Sequence, residues 1–158
     1  MTITVLRDPV ERIVSHYRFN ASAPSTLQDA IHRERLTVVD YFQRLAVPPQ
    51  YQYFAPNGDA ESALERLASE VSWFGLQSDF DQFVATLGRL LGLPTLAHKA
   101  LNQTPDDAPE VTPGHIEELR SLLRADIDFF QRATELYWQR LARLPAPPSD
   151  HPWTRFYS

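Results

Sequence analysis

Arg7 and Ser15, eight residues apart, are the residues of this chain whose types and spacing could do chemistry together. A guanidinium binds a phosphate through a two-pronged fork, and a hydroxyl adds a further hydrogen bond. Both lie in Thr2–Phe19, TITVLRDPVERIVSHYRF. Thr2–Leu6 is β-branched and apolar and too short for a stable helix, so it reads as a buried strand. Asp8 can cap a helix, Pro9 suits its first position, and Glu11 stands where a capping box would have it. Val10, Ile13, Val14 and Tyr17 recur as a core-facing stripe, which leaves Glu11, Ser15 and Arg18 on one flank. Arg7 then sits at the carboxyl end of a strand and just before a helix N-terminus, where open α/β sheets collect anionic ligands. By residue type alone the stretch fits a phosphate site. It fits more often a solvated strand end with an inert flank serine.

Other chemistries find less support. The histidines at 16, 32, 98, 115 and 151 lack ligand spacing and have no cysteine beside them, so no metal is expected. His16 adjoins Ser15, but neighbours on a helix diverge by about 100°, so a Ser–His nucleophile pair is not expected. Net charge is −5, which argues against broad attraction to nucleic acid or an anionic membrane. The absence of cysteine excludes a disulfide framework. No apolar run approaches the roughly 18 residues of a membrane span, and no signal peptide is evident. Of fifteen basic residues one, Lys99, is lysine, a bias that suggests a GC-rich bacterial genome.

The helical elements follow from caps and periodicity. Ser25 with Gln28, and Thr37 with Asp40, mark two starts. Val38, Val39, Phe42 and Leu45 make the inner face of the second. Gln50–Asp59 is a loop whose Tyr51, Tyr53 and Phe54 either offer faces on which a base could stack or, the favoured reading, plug onto the core. Ala60–Ala68 is a short helix with Leu64 and Leu67 inward. Val71–Leu76 reads as a second buried strand. Ser78 is expected to cap the next helix, with Phe80, Phe83, Val84, Leu87, Leu90 and Leu91 in the core and Gly92 and Pro94 as its stop. Thr95–Thr112 is a long irregular loop. Thr112 and Pro113 open a helix with Ile116, Leu119 and Leu123 inward, and Asp126 starts a last one through Leu144. Pro145–Ser158 is a proline-rich tail, a cap or a disordered end more readily than an SH3-type ligand.

The segment LRDPVERIVSHYRF resembles the 3′-phosphate-binding segment of sulfotransferases that use 3′-phosphoadenosine 5′-phosphosulfate (PAPS), closest to the heparan sulfate 2-O/6-O carbohydrate sulfotransferases. WFGLQSDFDQFVATLGRLLGLP, HKALNQTP and IEELRSLLRADIDFFQRATELYWQRL are similar to later pieces of that family, in order. The resemblance implies that Arg7 and Ser15 hold the 3′-phosphate of PAPS or of adenosine 3′,5′-bisphosphate. It also implies that Lys99, Asn102 and Thr104 contact the cofactor from a closing loop, where a plain polar surface loop is the equal alternative. The family's 5′-phosphosulfate loop and catalytic base lie upstream of this segment, and no Lys/Ser/Gly/Thr-rich turn follows it. Residues 1–144 are therefore expected to be the carboxyl-terminal part of a sulfotransferase-like domain, helix-rich α/β. About two strands of a P-loop-kinase-like parallel sheet should pack with five to seven helices, with 145–158 a tail. The expected activity is sulfuryl transfer from PAPS to a saccharide-like hydroxyl. The alternative is a catalytically inactive relative that serves as a nucleotide-binding or helical interaction module. Expected partners are a saccharide or other hydroxyl acceptor and, through an uncovered strand edge, a second copy of the chain. The compartment is cytoplasmic for a bacterial protein, or the Golgi lumen for part of a longer eukaryotic one.

Overall fold

A computed structural model describes residues 1–22, 26–45, 47–93 and 109–145. Two strands, β1 (Ile3–Leu6) and β2 (Trp73–Leu76), pair in parallel with Ile3 opposite Trp73 and Leu6 opposite Leu76. Among the described residues there are seven helices: α1 (Pro9–Ser22), α2 (Thr26–Glu34), α3 (Val38–Leu45), α4 (Ala60–Ser69), α5 (Phe80–Leu90), α6 (Pro113–Leu122) and α7 (Arg124–Ala142). The helix-rich α/β class is as expected. Single 3₁₀ turns occupy Gln50–Tyr53 and Gln77–Asp79.

Local chemistry accounts for most boundaries. The Asp8 carboxylate accepts the Glu11 amide at 3.0 Å, starting α1 as its sequence suggests. Thr37 and Asp40 form a reciprocal capping box ahead of α3, and Thr112 and His115 form another at α6. Asp59 caps α4 through the Ser62 amide. Gly92, at φ +65°, takes the left-handed conformation that closes α5, and the Leu93 amide reaches back to the Gly88 carbonyl at 2.8 Å. Arg140 of α7 donates to the carbonyls of Leu67, Ala68 and Val71, covering the open end of α4.

The core has two parts. One surrounds β2, where Trp73, Phe74, Leu76, Leu67, Phe83, Phe129 and Tyr137 are buried. The other joins α1, α2, α3 and α6 through Ile13, Tyr17, Ile31, Val38, Tyr41 and Leu119. Phe83 packs so closely on Gly75 that any Cβ there would lie 2.3 Å from its ring.

Several sequence expectations need correction. β2 is buried throughout, but β1 is not, because Ile3 and Val5 are each 37% exposed. Among the described residues no strand pairs with the far edge of β1, and of its apolar residues Leu6 is buried while Ile3 and Val5 are partly open. Ser78 does not cap α5. It sits in the 3₁₀ turn, and α5 begins at Phe80 without a side-chain cap. Phe80, Leu90 and Leu91 are exposed, because the small residues Ala85, Thr86 and Gly88 form the buried arc beside Phe83 and Val84. Asp126 lies inside α7, which opens at Arg124 and is buried along Asp126, Phe129, Ala133 and Tyr137. The proposed cap at Ser25, the stop at Pro94 and the segment 146–158 lie outside the described residues.

Candidate functional site at the β1–α1 junction

Arg7 follows the last residue of β1 and precedes the Asp8 cap, so backbone geometry brings it to the N-terminus of α1. Its main chain is held on both sides by one buried side chain. The Gln50 amide oxygen accepts the Arg7 N–H at 3.0 Å, and the Gln50 amide nitrogen donates to the Arg7 carbonyl at 2.6 Å. The glutamine side chain thus imitates a strand partner one residue beyond the sheet. Gln50 is 5% exposed, so these bonds also satisfy an amide that burial would otherwise leave unpaired.

Gln50 is held in turn by the turn it begins. The buried Asp126 carboxylate of α7 accepts the Tyr51 amide at 3.3 Å and lies 3.5 Å from Arg12 of α1. Arg12 also donates to the Pro48 carbonyl at 2.8 Å. The path from α7 through the 3₁₀ turn to Arg7 is therefore continuous. Burial raises the Asp126 pKa above the usual aspartate value, against the opposing pull of backbone amides and Arg12.

The Arg7 side chain is one-third exposed, and its Nε lies 3.8 Å from the Glu11 carboxylate. That Nε is itself buried and has no hydrogen-bond partner. Glu11 is mostly exposed, so its pairing with Arg7 is weak and exchangeable. Ser15 lies four residues beyond Glu11 on the same flank of α1 and is half-buried. Arg7, Glu11 and Ser15 recur at intervals of four residues, which places the Glu11 carboxylate between the guanidinium and the hydroxyl in sequence. A helix N-terminus, a guanidinium and a hydroxyl in that order can hold an oxyanion once Glu11 gives way.

Other predicted residues are placed as follows. Tyr51 and Phe54 pack on the core beside Phe129, as the favoured reading had it, whereas Tyr53 is 66% exposed. His16 does not serve Ser15. Its Nδ1 lies 2.9 Å from the Tyr41 hydroxyl, which also accepts from Asn20. Burial and then Arg12 lower the His16 pKa, and burial lifts Tyr41 to about 12. Lys99, Asn102 and Thr104 lie outside the described residues. The site residues that sequence reasoning missed are Gln50, Arg12 and Asp126, since no local motif announces a contact between such distant segments.

Among the described residues no group of three or more His, Asp or Glu could hold a metal ion, and no helix is long and apolar enough to cross a membrane. No protein-family model, curated protein or solved structure matches the chain.

Proposed function

We propose that this chain contributes the 3′-phosphate clamp of a PAPS-dependent sulfotransferase acting on a saccharide-like hydroxyl. The observation that carries the reading is the β1–α1 junction. A parallel strand delivers Arg7 to a capped helix start, a buried glutamine fixes its backbone, and Ser15 lies two turns along the same helix. The resemblance of Leu6–Phe19 to the family segment supports the same residues. On this reading the two-stranded sheet is part of a P-loop-kinase-like sheet. Lys99, Asn102 and Thr104 add contacts to PAPS or adenosine 3′,5′-bisphosphate.

Sulfuryl transfer needs anion-binding groups at both ends of the cofactor and a base for the acceptor hydroxyl. Arg7 and Ser15 serve the end remote from the reacting sulfur. Their contribution is therefore affinity and orientation.

Titration with adenosine 3′,5′-bisphosphate and with adenosine 5′-monophosphate tests the clamp. The bisphosphate should bind tighter, and only its binding should depend on Arg7. A charge-assisted hydrogen bond contributes about 1.5–3 kcal/mol, so Arg7→Ala should weaken binding about ten- to a hundred-fold. Ser15→Ala should weaken it by about three- to tenfold. Equal binding of the two nucleotides, or unchanged bisphosphate binding in a folded Arg7→Ala protein, would remove the clamp.

A further inference from the structure

A second concave surface lies beyond Glu11, between α1, α6 and α7. It is a groove of about 790 Å³, within the size range of small-molecule sites. Three guanidinium groups line it: Arg18 from α1, Arg120 from α6 and Arg124 from the start of α7. This is an uneven distribution for a chain whose net charge is −5.

The groove's three arginines outnumber its two carboxylates, Asp8 and Glu11, by one, and the carboxylates sit at the α1 end of it. Of its two carboxylates, Asp8 is engaged by the Glu11 amide at the start of α1, and Glu11 lies beside Arg7. Arg120 pairs with Glu117 at 2.7 Å on the exposed face of α6. No carboxylate of the described residues pairs with Arg18 or Arg124. The Nε of Arg18 is buried and has no hydrogen-bond partner. Between the guanidiniums the wall is apolar, formed by Val14, Val111, Ile116 and Ile127, and Gln131 adds an uncharged amide.

We propose that this groove binds a small organic anion, with one phosphate, sulfate or carboxylate group held by Arg18 and Arg124 and an apolar body against Val14 and Ile127. The oxyanion supplies an acceptor lone pair to the buried Arg18 Nε and a counter-charge to Arg124. The valine and isoleucine wall gains from covering by an apolar body and offers nothing to a bare inorganic ion. Arg7 is not needed, so the inference does not depend on the nucleotide clamp.

Phenyl phosphate is a suitable probe, titrated calorimetrically into the full chain. It should bind saturably. Inorganic phosphate, which has the charge alone, and benzyl alcohol, which has the ring alone, should each bind at least about tenfold more weakly. Arg18→Gln and Arg124→Gln should each weaken phenyl phosphate by about tenfold or more, whereas Arg7→Ala should leave it unchanged. Arg124 is exposed and Arg18 half-buried, and circular dichroism verifies the fold of each variant. If one variant fails to fold, the other decides. No saturation by about 10 mM overturns the proposal, as do insensitivity to both arginine variants and equal binding of inorganic phosphate. Loss of binding in Arg7→Ala would assign the anion to the β1–α1 junction and overturn it too.

Discussion

Glu11 decides how much of the Arg7 guanidinium is free. Its carboxylate lies 3.8 Å from Nε, on the side where a bound phosphate would carry negative charge. An exposed ion pair of this kind contributes up to about 1 kcal/mol, so an anion must displace it at that cost. Glu11→Gln keeps the shape and removes the charge. It should tighten adenosine 3′,5′-bisphosphate binding by up to about fivefold in the same titration that Arg7→Ala weakens. An unchanged affinity would mean that Glu11 and the nucleotide do not compete. Asp126 presents the opposite case, a carboxylate that is 1% exposed and tied to Arg12. Removing one member of such a pair leaves a charge with poor solvation, and Asp126→Ala should cost about 3–5 kcal/mol in chemical denaturation. Replacing both, as Arg12→Met with Asp126→Leu, should recover most of that loss. An Asp126→Ala variant within about 0.5 kcal/mol of the parent would show that the pair holds nothing together. The pH dependence has a definite sign. The folded-state pKa of Asp126 is raised, so the folded chain keeps this proton after the unfolded chain has released it. The contribution of Asp126 to stability is therefore greatest below its ordinary pKa and falls as pH rises through the raised value. Subtracting the curve of Asp126→Asn from that of the parent isolates this effect from the other carboxylates.

The elements show which features of the fold were open to sequence reasoning. Caps were legible because they are local. Asp8, Thr37 and Thr112 each bond to an amide three residues ahead, and those pairings can be read from residue type. The core stripe of α1 was legible for the same reason, since Val10, Ile13 and Tyr17 repeat with the helix. Burial of a strand is not local. Ile3 and Val5 are as apolar as Phe74 and Leu76, yet only β2 lies beneath α5 and α7. The latch of Gln50 on Arg7 was hidden because it joins a loop residue to a strand end across 43 positions. The position of Arg7 at the strand end was legible from the strand–cap sequence around it, whereas the backbone hold that fixes it was not. Contact between β2 and α5 carries its own test. Gly75 has room for no side chain, because Phe83 atoms lie 2.3–2.6 Å from where its Cβ would stand. Gly75→Ala must push α5 away from the sheet, at a cost of about 1–3 kcal/mol. Thermal melting should register a fall of several degrees, about 2–4 °C per kcal/mol in a chain of this size. A melting temperature within about 1 °C of the parent would mean that α5 rides freely over β2.

At the scale of the whole molecule, the two-stranded sheet leaves a question of edges. A parallel strand is ordinarily covered on both faces and flanked on both sides. Among the described residues β1 has β2 on one side only, and a cleft of about 290 Å³ runs along Thr4–Leu6, Arg12, Gln50 and Tyr53. Ile3 and Val5 share one face of the strand and are partly open, and Tyr53, which lines the same cleft as Val5, is 66% exposed. Gln50 occupies the backbone of Arg7, so the latch blunts the edge only at its end. Such an edge is a template for another strand. The chain should therefore associate as its concentration rises, with β1 at the contact. Sedimentation velocity over a hundredfold range of concentration would register a growing larger species. Ile3→Lys with Val5→Lys should keep the protein monomeric, because a lysine on an edge strand makes a second strand bury a charge. These positions are already partly in water, so the double variant should retain the helical circular dichroism of the parent. A parent that stays monomeric throughout, with one sharp and reversible thermal transition, would show that this edge is satisfied without a partner. Association that persists unchanged in the lysine variant would place the contact elsewhere, with the exposed Leu90 and Leu91 at the end of α5 as the next surface to test.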